Sequence, residues 1–116
     1  MTFDEYQKQA VTTDVTGLGK RIKHAHDPAY VDKILSLVGE SGEVAEKYKK
    51  IIRDKQGVIS PEDAQEITKE LGDVLWYVAV LAHYLGVSFD DLAQMNLDKL
   101  AKRKNEGKLG GKGDNR

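Results

Sequence analysis

Four acidic residues of this 116-residue sequence stand in two matching pairs, Glu40 with Glu43 and Glu70 with Asp73, each three positions apart. On helices, residues three apart share a face. Glu43 and Glu70 lie equally far from a point between Gln56 and Gly57, and so do Glu40 and Asp73. If the chain doubles back there as an antiparallel helical hairpin, each acid comes level with one on the opposite helix. With the two faces turned together, four carboxylates would converge and repel one another until a cation neutralised them. An all-oxygen set suits hard ions such as Mg²⁺ or Mn²⁺ and disfavours Zn²⁺ and copper. Carboxylate-held Mg²⁺ leaves positions for water and substrate phosphates, which is the arrangement for metal-assisted hydrolysis of a phosphoanhydride.

Spacing alone leaves a plainer arrangement open, in which these are solvated acids on charged helices. Lys47 lies one turn from Glu43 and Lys69 one turn from Asp73, as surface pairs would. Glu40 and Glu70 have no lysine one turn away and border apolar positions, where an uncompensated acid is costly. Neither has a histidine three residues on, as a di-iron carboxylate bundle requires. Glu46 is a further acid on the same helix, and Lys50 one turn on suits it as a surface partner.

The elements that must position these residues read as helices throughout, with no strand-like alternation. A first helix is expected over about Thr2 to Val15, followed by a loop to Asp27-Pro28. A second covers roughly Ala29 to Arg53, with an apolar stripe of Ile34, Leu37, Val38, Ala45, Tyr48 and Ile52. Asp54 to Val58 holds the turn. Ser60-Pro61-Glu62-Asp63 then caps a third helix reaching about Leu85, striped by Ile67, Leu71, Val74, Val78, Leu81 and Leu85. Gly86 ends it, and Ser88 starts a fourth helix that runs to about Asn105. The chain thus divides into one helical domain, residues 1–105, and a Gly/Lys-rich tail, residues 106–116.

Composition bounds the rest. Apolar residues make up 40% and charged residues 32%, as in a soluble helical protein. One short domain buries a modest share of its surface, so association is a natural way to enlarge its core. The absence of cysteine removes disulfides and thiolate metal sites. Residues 1–9 carry Asp4 and Glu5 without the apolar run of a leader, and no stretch approaches the ~20 apolar residues of a membrane span. The expected compartment is the cytoplasm, with no membrane partner. A net charge of −1 argues against stable nucleic-acid binding. From Lys99 onward, however, seven basic residues face two acidic ones, a composition that suits an anionic partner or merely a solvated end.

Two strings carry a family resemblance: Leu37-Val38-Gly39-Glu40-Ser41-Gly42-Glu43-Val44-Ala45-Glu46 and Lys69-Glu70-Leu71-Gly72-Asp73-Val74-Leu75-Trp76-Tyr77. With E-x-x-E on one helix and E-x-x-D on the next, the sequence resembles the MazG-like all-α nucleoside triphosphate pyrophosphohydrolases. The resemblance implies that Glu40, Glu43, Glu70 and Asp73 are the Mg²⁺ ligands and catalytic carboxylates, with Mn²⁺ a possible substitute. It implies cleavage between the α- and β-phosphates of a (d)NTP, giving (d)NMP and pyrophosphate, in the housecleaning of nucleotide pools. It further implies an all-α antiparallel hairpin that completes a four-helix bundle by forming a homodimer or homotetramer, with sites at the subunit boundary.

Asn96, Lys99 and Arg103 resemble the family's phosphate-contacting residues on the fourth helix, and their spacing places them on one face. The ending Gly110 to Arg116 resembles the tail of compact members and would bring Lys112 or Arg116 towards a phosphate. Trp76 is expected to pack, Tyr77 to pack or to stack on a base, and His83 to pack; His24 and His26 are expected in the exposed loop. Lys47 is a further candidate phosphate contact. The reading from a different class is a helical dimerisation or regulatory module that binds nucleotide or protein without hydrolysing it.

Overall fold

The computed structural model describes residues 1–17 and 19–110. It contains four helices: α1 (Phe3–Val11), α2 (Pro28–Lys55), α3 (Pro61–Tyr84) and α4 (Phe89–Asn105). Among the described residues there is no strand.

Each helix starts where a short polar side chain can satisfy the free amides of the first turn. Thr2 and Glu5 form a reciprocal capping box at α1, as Ser60 and Asp63 do at α3. Asp27 accepts from the Ala29 amide with Pro28 in the first turn of α2, and Ser88 accepts from the Asp91 amide at α4. The first helix is shorter than the expected run to Val15. Thr12 and Thr13 turn their hydroxyls onto the carbonyls of Gln9 and Ala10, competing with the helical ladder, and the chain breaks there so that Asp14 turns inward. The hairpin turn falls where expected: Gln56 takes a left-handed conformation at φ 54° and Gly57 follows at φ 80°.

The antiparallel pair α2–α3 is the most extensive packing in the chain, and α3 and α4 are bent 102° from each other. Helix α1 lies across α3 and α4. Buried Gln7 fastens it, donating to the carbonyls of Ala79 and Val87 at 3.0 Å each and accepting from the Phe89 amide at 3.1 Å. Phe3 and Tyr6 add tilted ring contacts to Phe89. Ala29, Val80 and Tyr84 form the core, with Ile22, Tyr30 and Trp76 packed against them.

Much of the apolar stripe on each hairpin helix is exposed in the single chain. On α2, Val38, Tyr48 and Ile52 are 67, 54 and 53% exposed, whereas Ala29, Lys33 and Ile51 are buried. On α3, Leu71 and Leu85 are exposed and only Leu81 of that stripe is buried. The helical period is as expected. The side of α2 that meets α3 carries Lys33, Glu40 and Lys47 among small and apolar residues, and the more apolar side faces outward.

Candidate metal and nucleotide site

Glu40 on α2 and Glu70 and Asp73 on α3 each offer a carboxylate oxygen, and the three oxygens lie within 4.8 Å of one another. Glu40 and Glu70 are half-buried and Asp73 is exposed, so the cluster sits at a rim rather than in the core. Withdrawal from water pushes the Glu40 carboxyl above its usual range, and the negative charges of Asp73, Glu70 and Glu43 push it further. Three oxygens held this close, with a proton bound more tightly than usual, form a donor set that suits a hard divalent cation.

Glu43 does not join them. It is exposed, one turn along from Glu40, and lies outside the group of close oxygens although its charge reaches Glu40. The level pairing inferred from sequence thus brings three of four acids together. Of the lysine pairings, Glu46 with Lys50 is as expected, while those of Lys47 and Lys69 differ. Lys47 crosses the hairpin to Glu70 at 3.6 Å and Glu66 at 4.0 Å, so Glu70 does have a cationic partner. Lys69 pairs with Glu66 at 2.9 Å, and Glu46 pairs with Lys49 and Lys50.

Beside the carboxylates an open cleft of about 360 Å³ is lined by Thr13, Glu40, Asp73, Trp76 and Tyr77. The two aromatic rings stand almost perpendicular, at 85° with centroids 4.8 Å apart. The Trp76 indole N–H donates to the Thr13 hydroxyl at 2.8 Å. Trp76 therefore packs, as expected, and also walls the cleft.

Behind it lies a buried polar cluster that the sequence did not reveal. Lys33, 2% exposed, reaches Asp14 at 3.2 Å and the Thr16 hydroxyl at 2.7 Å. Tyr84, fully buried, donates to the other Asp14 oxygen, and the Gly17 amide donates to Asp14 at 3.1 Å. A Cβ on Gly17 would overlap the Tyr84 hydroxyl, so only glycine fits there. Burial alone would raise the Asp14 carboxyl, but the bonds from Tyr84, Gly17 and Lys33 hold it below its usual range. Burial likewise opposes the Lys33 charge, and the bonds to Asp14 and Asp32 outweigh it. Lys33 lies seven residues before Glu40 on the inward face, a spacing that could have marked it as facing the site.

The α4 candidates lie elsewhere in the chain. Asn96 and Lys99 line a separate apolar groove of about 480 Å³ with Leu37, Val78, Leu81 and Met95 among its walls. Arg103 is buried. His83 packs at half-burial, with its ring nitrogen 2.7 Å from the Gly19 carbonyl, and His24 and His26 are exposed. Residues 111–116, with Lys112 and Arg116, lie outside the described residues.

Residues 32–107 match the MazG nucleotide pyrophosphohydrolase domain. The chain is 54% identical over 82 residues to the gene 37 protein of Mycobacterium phage L5, covering 71% of this chain and 72% of that one. It is 36% identical over 72 residues to the uncharacterized protein YvdC of Bacillus subtilis (strain 168), covering 58% and 68%. No solved structure matches. The chain belongs to the MazG nucleotide pyrophosphohydrolase domain family, a group in general dependent on divalent metal, and that membership implies a nucleotide substrate. Among the described residues no single helix is long and apolar enough to cross a membrane.

Proposed function

We propose that this chain hydrolyses nucleoside triphosphates between the α- and β-phosphates, releasing a nucleoside monophosphate and pyrophosphate, with Mg²⁺ as cofactor and Mn²⁺ able to replace it. One observation carries the reading: Glu40, Glu70 and Asp73 converge from two helices, two of them lining an open cleft, in a chain of this family. Glu40, Glu70 and Asp73 would hold the metal, and Glu43 would extend the acidic rim. Bound there, Mg²⁺ supplies charge neutralisation of the triphosphate, polarisation at phosphorus and activation of water. Lys47, now spanning to Glu70 and Glu66, is a cation already at the edge of the acidic group and available to a phosphate oxygen. Clearing unwanted nucleotides from the cellular pool is the role that suits this chemistry.

We further propose that the working form is a homo-oligomer. The outer face of α2–α3 exposes Val38, Tyr48, Ile52, Leu71 and Leu75, an apolar surface of the kind a second copy covers. The radius of gyration is 16.8 Å, against ~13 Å for a compact domain of this length, so the single chain does not close around its own core. Two hairpins face to face would make the four-helix core. Assembly is also the way Asn96, Lys99 and Arg103 on α4 could serve a carboxylate group, because in the single chain Asn96 and Lys99 line a groove that shares no residue with the acidic cleft.

The decisive measurement is pyrophosphate release from a panel of NTPs and dNTPs, first with Mg²⁺ and then with EDTA. Metal-dependent release with a matching monophosphate is expected. No release from any substrate by the folded, helical protein would overturn the reading in favour of a non-hydrolysing nucleotide-binding module.

A further inference from the structure

The family match begins at residue 32, yet the cleft beside the carboxylates is walled in part by Thr13. The short segment after α1 is therefore built into the site, and its attachment is elaborate. Asp14 is tied to Lys33 and Tyr84, Thr16 to Lys33, and the Gly17 amide to Asp14 in the buried cluster. Thr13, at the edge of that cluster, takes the one indole N–H of the chain. The ammonium of Lys33 lies 6.0 Å over the Trp76 ring and 5.7 Å over that of Tyr84. Trp76 is thus set by contacts on its polar edge, from the core side and by Tyr77, which is more constraint than simple packing of a half-buried ring needs.

A triphosphate bound at the carboxylates has its α-phosphate joined to the base through one sugar, so whatever borders the acids is within reach of the base. The border is a two-sided aromatic corner. A planar ring stacked parallel to the indole would stand nearly perpendicular to Tyr77, and stacked and edge-to-face contacts are both favoured aromatic geometries. A cleft of about 360 Å³ falls in the lower part of the range for small-molecule sites.

We propose that Trp76, fixed by Thr13 and by the buried Asp14–Lys33–Tyr84 cluster, is the platform on which the nucleobase of the substrate stacks. Trp76 is then a specificity-determining residue, and Thr13, Asp14 and Lys33 are positioning residues acting through it. This inference rests on the pyrophosphohydrolase reading but is separable from it.

Trp76 is the only tryptophan in the chain, so its fluorescence reports on the platform alone. The probes are α,β-methylene nucleoside triphosphates, in which the bond to be cleaved is blocked, and inorganic triphosphate, which has no base, each with Mg²⁺. Saturable quenching by the nucleotide analogues, and little change with inorganic triphosphate, is expected. Trp76→Leu should raise KM roughly tenfold, the ordinary weight of one base–aromatic stack, with Mn²⁺ binding measured by electron paramagnetic resonance unchanged. Thr13→Val should raise KM by a smaller factor and shift the emission of the free protein. Equal quenching by inorganic triphosphate and by the analogues would overturn the proposal even if the Trp76 variant failed to fold. Pyrophosphate release by wild-type protein without base-dependent quenching would sink the platform and leave the reaction standing; absence of release would sink the reaction itself.

Discussion

At the scale of single residues, the site and the buried cluster solve opposite problems of charge. Glu40 has like charges around it and a carboxyl pushed up by partial burial and by its acidic neighbours. Removing its charge should relieve the metal-free protein while disabling the metal site, a trade common where function needs a strained arrangement. Glu40→Gln should raise the metal-free melting midpoint by about 2–5 °C, abolish the further rise on adding Mg²⁺, and lower pyrophosphate release on the order of 10²-fold. Calorimetry with and without Mg²⁺ checks the pair; a lower metal-free midpoint would count against the repulsion. In the buried cluster, the depressed Asp14 carboxyl contributes stability that is present above its unfolded pKa and lost as pH falls through the folded value. Lys33 is held above its ordinary 10.5, and burial followed by the Asp14 bond and charge pushes Tyr84 up from 10.0 to about 12. The unfolded chain therefore releases these protons first, and stability should fall between about pH 10 and 12. Tyr84→Phe should make that alkaline fall shallower. An unchanged slope would mean that Tyr84 is not its source.

At the scale of helices, the sequence was legible wherever a local rule decides the outcome. Ser60-Pro61 and Ser88 start helices as their side chains require, and the Gln56–Gly57 turn falls midway between the paired acids. Gly57, at φ 80° with open space around it, carries a purely conformational cost: Gly57→Ala should destabilise by about 1 kcal/mol in urea unfolding, without altering KM. What could not be read was anything set by tertiary contact. Val38 and Ile52 look like core residues and Lys33 like a surface one, and the reverse holds because a stripe reveals its period but not what it faces. The same limit explains Glu43, which shares a helix face with Glu40 by spacing but is exposed and outside the group of close oxygens. Asp14 read as the end of the first helix and Gly17 as a loop residue, since Tyr84, which meets both, lies about seventy positions away.

At the scale of the molecule, a second copy covering the open apolar face would couple folding to association. Sedimentation should report a dimer or larger species at micromolar concentration, and the melting midpoint should rise with concentration. Val38→Asp, which places a charge on the outer face of α2, should shift the species towards monomer and lower activity in parallel. A fully active monomer would separate the site from assembly. The clasp around Lys33 has a practical consequence for anyone trimming the protein to its family boundaries. A chain beginning at residue 32 keeps every acid of the site but discards Asp14, Thr16 and Gly17, leaving the Lys33 ammonium beside Tyr84 without its buried carboxylate. Breaking a buried pair from one side costs about 3–5 kcal/mol, a large part of the stability of a domain this size. The domain cut at the family boundary should therefore be less helical and melt lower than the full chain, as circular dichroism would report. The missing piece also carries the Asp27 cap of α2 and the core residue Ala29, so residues 1–31 added in trans should restore helicity and, with it, turnover.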